Sequence, residues 1–133
     1  MRYLLDTCTV SDFAQGWPRV LDRVKSVFPD DIAISALTEM EIAYGLRLNP
    51  KLTPRLAPVM DALFRAVHLL PYDSAAAQTA AALRAALKVR GRPIGAYDAL
   101  IAGTAVAHGL VLVTSNVREF SRVEGLSVED WRR

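Results

Sequence analysis

Asp6, Glu41, Asp98 and Glu119 stand where a chain would ordinarily avoid charge. Asp6 closes the apolar run Tyr3-Leu4-Leu5, and Glu41 falls in the apolar stripe of a helical segment. Asp98 is followed by Ala99-Leu100-Ile101-Ala102, and Glu119 comes shortly after the run Leu110 to Val113. A carboxylate in apolar surroundings is costly unless a cation or hydrogen-bond donors receive it. Several that converge ask for a hard divalent cation, and a bound Mg²⁺ suggests phosphoryl chemistry.

Each acid also has a purely structural explanation. Asp6, at a strand end, could cap the following helix through the amides of Thr7 or Cys8. On a helix, residues 37, 41, 44 and 48 share a face; here they are Leu37, Glu41, Tyr44 and Leu48, so Glu41 is predicted to point along an apolar stripe. Glu39 lies about 200° away around the axis and faces solvent. A capping box over Thr38 to Glu41 competes, but Ser35 is the better helix start and leaves Glu41 well inside. Asp98 could merely compensate a helix dipole, although that suits a solvent-facing Asp better. Glu119 could be an ordinary surface acid and Asn116 a turn residue; either could instead reach a metal or a water on it.

Other reactive types carry less. His68 and His108 lack metal-ligand spacing and read as structural. Cys8 has no CxxC partner and reads as a small packed residue. Trp17 and Trp131 read as packing or interface anchors. Arg84, Lys88, Arg90 and Arg92 could track phosphates near Asp98 or simply form a solvated helix face. No GxxxxGK[ST] or GxGxxG occurs, so a nucleotide-cradling loop is unsupported.

The elements that must position these residues follow from local signals. The 133 residues fit one domain, 1–133, and 52% hydrophobic content can supply a sheet covered by helices. The net charge of +2 is too small to identify a nucleic-acid binder by itself. The single cysteine and the absence of a secretory or membrane-spanning pattern predict a cytoplasmic protein.

Strands are predicted at Arg2 to Leu5, Ile32 to Ile34, Val67 to Leu70, Leu110 to Val113 and, at an edge, Leu126 to Val128. Helices are predicted from Ala36 to Leu48 after the Ser35 cap and from Thr53 to about Ala66 with Pro54 in the first turn. Two more run from the Asp73-Ser74 cap to Gly91 and from the Pro93–Gly95 turn to about His108. Such alternation predicts an α/β fold with a parallel sheet. Sites in these sheets form at the carboxyl ends of strands near the switch in strand order. Asp6 and Thr114-Ser115-Asn116 both leave such ends, and they meet if their strands are neighbours.

Four blocks in this order carry a resemblance: Leu4-Leu5-Asp6-Thr7, Ile34 to Gly45 around Glu41, Gly91 to Ala102 around Asp98, and Val113 to Phe120. The chain resembles a PIN-domain ribonuclease of the VapC toxin type over nearly its whole length. The resemblance implies a three-layer α/β/α fold with a central parallel sheet of four to five strands. It implies Mg²⁺ or Mn²⁺ at Asp6 and Asp98, with Glu41 on the metal or its water. Asp6, Glu41, Asp98 and Glu119 are the expected catalytic residues, with Thr7, Thr114, Ser115 and Asn116 supporting them. Two positions depart from the pattern: Cys8 replaces the usual Asn, and Asn116 replaces the Asp of many members, with Glu119 matching a downstream Glu found in one branch.

The same resemblance implies a structured RNA substrate, with tRNA favoured and initiator tRNA indicated for this branch. It further implies a homodimer, a VapB-type antitoxin whose basic side chain enters the acidic pocket, and operator DNA bound only through that antitoxin. Two alternatives remain. One is a PIN module that binds a protein or RNA without catalysis. The other is a phosphatase or receiver-like domain with Asp6 as phospho-acceptor, which Cys8 in place of a second Asp disfavours.

Overall fold

The computed structural model describes residues 1–133. Five parallel strands, β1 (Tyr3–Leu5), β2 (Ile32–Ser35), β3 (His68–Leu70), β4 (Val111–Val113) and β5 (Val128–Glu129), form one sheet in the order β3-β2-β1-β4-β5. The seven helices are α1 (Thr7–Gln15), α2 (Pro18–Ser26), α3 (Ala36–Leu48), α4 (Thr53–Ala66), α5 (Ser74–Val89), α6 (Ala96–Ala107) and α7 (Val117–Phe120). No helix is long and apolar enough to cross a membrane.

Strand alternation divides the core. Tyr3 and Leu5 of β1, with Ile32 and Ile34 of β2, face one side and meet Val10, Val20, Ile42, Met60 and Leu63 from α1 to α4. Leu4, Ala33 and Leu112 face the other side and meet Leu87, Ile101, Ala102, Ala105 and Phe120 from α5 to α7. Leu4, Leu5, Ala33, Ile34, Leu112 and Val113 have no exposed surface, as expected of strands covered on both faces. The expected three layers are therefore present.

The helix boundaries follow their caps. Ser35 Oγ accepts the Thr38 amide at 3.1 Å and Asp73 Oδ1 accepts the Ala76 amide at 2.9 Å. Gly91, just past α5, adopts φ +68°, which an L side chain would resist. Helices α1, α2 and α7 were not delimited from sequence: α1 and α2 are short and meet at Gly16-Trp17-Pro18, and α7 is a single turn. The edge strand lies at Val128–Glu129, displaced toward the C-terminus from its expected place, because Leu112 and Thr114 donate to the carbonyls of Ser127 and Glu129.

The α3 face needs correction. Its buried line is Thr38 and Ile42, with Leu46 packed beside them, while Tyr44 and Leu48 are 61% and 62% exposed. Glu41 thus stands on the shoulder between core and solvent. The apolar stripe drawn through it from sequence continues onto open surface.

Close contact between α5 and α6 sets where α6 can lie. A Cβ on Gly103 would stand 2.7 Å from Ala80 Cβ and 2.9 Å from the Ala80 backbone, so only glycine admits this approach. The N-terminus of α6 carries Asp98.

Candidate active site

The crossover from β3 to β4 reverses the direction of strand addition, so β1 and β4 lie side by side at the switch. Asp6 follows β1, Thr114 follows β4, and the Asp6 amide donates to the Val113 carbonyl at 3.0 Å. The two segments expected to meet do meet.

Asp6 both caps α1 and borders the site. Its Oδ1 accepts the Thr9 amide at 2.8 Å, one residue beyond Cys8, the farther of the two expected donors. Burial pushes its carboxyl up, and the Thr114 hydroxyl and Thr9 pull the other way. Thr9 is itself anchored by donating its hydroxyl to the Val113 carbonyl at 3.0 Å.

Glu41 is reached from α1: the Thr7 hydroxyl donates to its Oε1 at 2.7 Å. Asp98 lies half-buried in the first turn of α6. Burial pushes its carboxyl up to about 6, with Glu119 the next cause as both charge and hydrogen-bond partner, followed by Asp6 and Glu41. The other three acids expected to converge therefore all act on the Asp98 carboxyl group.

Asn116 and Glu119 divide the remaining work. Glu119 Oε1 accepts the Gly95 amide at 2.8 Å, and Oε2 accepts from the Asn116 side-chain amide. Glu119 thereby satisfies the backbone amide of Gly95, the residue that opens α6 without a capping side chain. The Thr114 hydroxyl accepts the Asn116 amide at 3.0 Å, shaping the same turn. Ser115 is half-buried in that turn and makes no side-chain hydrogen bond.

Cys8 is not the packed residue expected from sequence. It is exposed on the first turn of α1, since the helix turns that face outward from the sheet. The protein around it still partly desolvates the sulfur, and this with the charges of Asp6, Asp12 and Asp98 pushes its thiol up, so it is no ready nucleophile. The basic residues separate likewise. Arg84 and Lys88 flank a groove with Pro93 and Ile94, and Arg92 is exposed. Arg90, also exposed, donates to Glu124 Oε1 at 3.2 Å and to the Arg122 carbonyl at 2.6 Å.

The donor set is all hard oxygen, and its mutual repulsion is of the kind a divalent cation relieves. As they stand, no three acidic, histidine or cysteine side chains are grouped to hold an ion. Asp98 is engaged with Glu119, and Glu41 with Thr7. The chemistry of the set fits a hard cation, with those internal partners exchanged for it.

The PIN-domain profile matches residues 3–126. This chain belongs to the PIN-domain family. A tRNA(fMet)-specific endonuclease VapC of Shigella flexneri is 35% identical over 131 residues, covering 98% of each chain. Ribonuclease VapC2 of Haemophilus influenzae is 32% identical over 132 residues, covering 98% of each. Among solved structures, a DNA-bound VapBC from Salmonella typhimurium superposes with a TM-score of 0.91 at 36% identity over 98% of both chains. Within the family, these similarities place the chain among VapC proteins.

This PIN domain also contains contacts that sequence reasoning missed. Arg132 makes a two-pronged ion pair with Asp12, at 2.6 and 2.8 Å, and lies 4.1 Å over the Trp17 ring. Trp131 is buried edge-on to Tyr3 at 5.1 Å, while Trp17 stays 42% exposed. Asp12 is buried on the inner face of α1, a helix whose extent the sequence did not delimit. His108 lies 3.6 Å from Asp73 and His68 lies 3.7 Å from Asp30, both away from the acids, in keeping with structural roles.

Proposed function

We propose that this chain is a divalent-metal-dependent endoribonuclease and the toxin of a toxin–antitoxin pair, hydrolysing a phosphodiester in structured RNA. The convergence of Asp6, Glu41 and Glu119 on Asp98, felt as the rise of its carboxyl to about 6, carries this reading. The ribonuclease names of the VapC relatives support it. The tRNA(fMet)-specific relatives favour tRNA, and initiator tRNA in particular, as substrate.

Asp6 and Asp98 would hold Mg²⁺ or Mn²⁺. When bound, such an ion neutralises charge on the phosphoryl oxygens and acidifies water near neutral pH. Glu41, steadied by Thr7, orients the attacking water. Glu119, steadied by Asn116, faces Asp98 and adds its negative charge beside the ion's ligands. Arg84, Lys88 and Arg92 offer phosphate contacts on the Asp98 side.

A VapB-type antitoxin is the expected partner, since the VapBC complexes superpose closely on this chain. Its basic side chain would enter the acidic pocket, and operator DNA would be bound only through it. Tyr44 and Leu48, exposed on α3 beside Glu41, supply apolar area for a homodimer. Residues 1–133 would act as one domain in the cytoplasm.

RNA cleavage with Mg²⁺ or EDTA, comparing wild type with Asp6→Asn and Asp98→Asn on initiator tRNA and other tRNAs, tests this function. Equal cleavage in every arm would remove it. A second reading, a PIN module that binds without catalysis, is favoured by the absence of three grouped ligands as the side chains stand and by Cys8 at the site's edge. Calorimetric Mg²⁺ titration separates the two, because a degenerate site binds negligibly.

A further inference from the structure

The segment joining α5 to α6, residues 91–95, places Asp98 yet has little structure of its own. Gly91, Arg92, Pro93 and Gly95 are exposed, and Gly95 has no side chain with which to cap the helix it opens. The segment is held from outside by the stretch around α7. Glu119 Oε1 takes the Gly95 amide at 2.8 Å. Arg122 Nη1 donates to the Pro93 carbonyl at 3.1 Å. Arg90, at the end of α5, donates back to the Arg122 carbonyl at 2.6 Å and to Glu124 at 3.2 Å.

Arg122 is the centre of this lashing. Its carbonyl receives Arg90 and its guanidinium holds Pro93, so it ties the residue before the segment and the segment's middle to one point. Its Nε is buried without a partner, so the guanidinium keeps its place at the cost of an unmet donor. Space in the site is also tight: a Cβ on Gly95 would stand 3.2 Å from Asp98 Oδ2 and 3.8 Å from Glu119 Oε1. A segment free to shift would change the opposition of Asp98 and Glu119 directly.

We infer that Arg122 is a positioning residue for the nuclease site, fixing residues 91–95 through the Pro93 carbonyl so that Asp98 stays opposite Glu119. The inference rests on the proposed ribonuclease function for its kinetic consequence, but not for its structural one. The test therefore has two readouts, on wild type, Arg122→Ala and Arg122→Lys. Solvent exchange of the Gly95 amide, followed by NMR in metal-free protein, should speed up about tenfold in Arg122→Ala, while the Asp6 amide bonded to Val113 keeps its rate. With RNA and Mg²⁺, kcat should fall on the order of tenfold at nearly constant KM, because misplacement of a reacting group costs rate. Arg122→Lys, which can still reach a carbonyl, should recover part of both.

Unchanged Gly95 exchange in Arg122→Ala would overturn the inference. A rise in KM alone would do so too, since Arg122 would then be an RNA contact. If Arg122→Ala fails to fold, Arg122→Gln replaces it, and uniformly faster exchange at Gly95 and Asp6 would mark a general stability role and also overturn it. Wild-type protein that cuts no RNA would sink the proposed function, while the Gly95 exchange would still decide the lashing.

Discussion

Asp98 of α6 and Glu119 of α7 both face Gly95, their carboxylate oxygens 3.2 and 3.8 Å from where a Cβ on Gly95 would stand, and burial together with Glu119 pushes Asp98 up to about 6. Two acids from separate helices thus meet where the switch in strand order opens the sheet. Asp6 and Glu41 add to the same shift from β1 and α3.

The sign of the resulting pH dependence is determined. Between about 4 and about 6 the folded metal-free protein keeps a proton on Asp98 that the unfolded chain releases. The stability this contributes is fully present below the unfolded pKa and is lost as pH rises through the folded value. In EDTA, the urea midpoint should fall between pH 4 and pH 7, and Asp98→Asn should flatten that fall. In Glu119→Gln, the Asp98 carboxyl carbon should titrate lower by NMR, because the largest charged neighbour is gone.

Asp6→Asn and Asp6→Ala should separate capping from chemistry. Asn accepts the Thr9 amide as Asp does, so Asp6→Asn should fold normally and lose RNA cleavage. Asp6→Ala should lose cleavage and also about 1 kcal/mol of stability through the missing cap. Urea unfolding of the two variants beside a cleavage assay checks both statements.

Two glycines should respond differently to alanine, one in stability and the other in cleavage. Gly103→Ala gains about 1 kcal/mol of helix propensity but must displace the Ala80 backbone, and the overpacking term of about 1–3 kcal/mol should win. Gly95→Ala meets only the Asp98 and Glu119 carboxylates. It should change stability by about 0.5 kcal/mol or less while reducing cleavage about tenfold. Urea midpoints and kcat measured on both variants decide the matter.

Arg132→Ala should leave Asp12 as a nearly buried, unpaired carboxylate, 7% exposed at its side chain. Breaking such a pair costs about 3–5 kcal/mol when fully buried, and the 37% exposure of Arg132 reduces the expected loss to about 1–3 kcal/mol. Asp12→Asn combined with Arg132→Ala should be less destabilising than the two single losses added together. A double-mutant cycle in urea measures that coupling.

What the sequence determined by itself was local. The Ser35 and Asp73 caps, Pro54 and Gly91 set the ends of α3, α4 and α5 because a cap or a proline acts within one turn of its own position. The acids Asp6, Glu41, Asp98 and Glu119 stood out because a charge beside apolar residues is costly wherever the chain folds. Their meeting was another matter. It required β1 and β4 to be neighbours and α6 to pack against α5 at Gly103, and those pairings depend on contacts between residues far apart in the chain. For the same reason only the tertiary structure turned Cys8 outward and exposed Tyr44. It also joined Asn116 to Glu119, and drew Arg90 to Glu124 and Arg132 to Asp12. A side chain's residue type says what it can bond. Its partner is chosen by packing that brings distant segments to within a few ångströms.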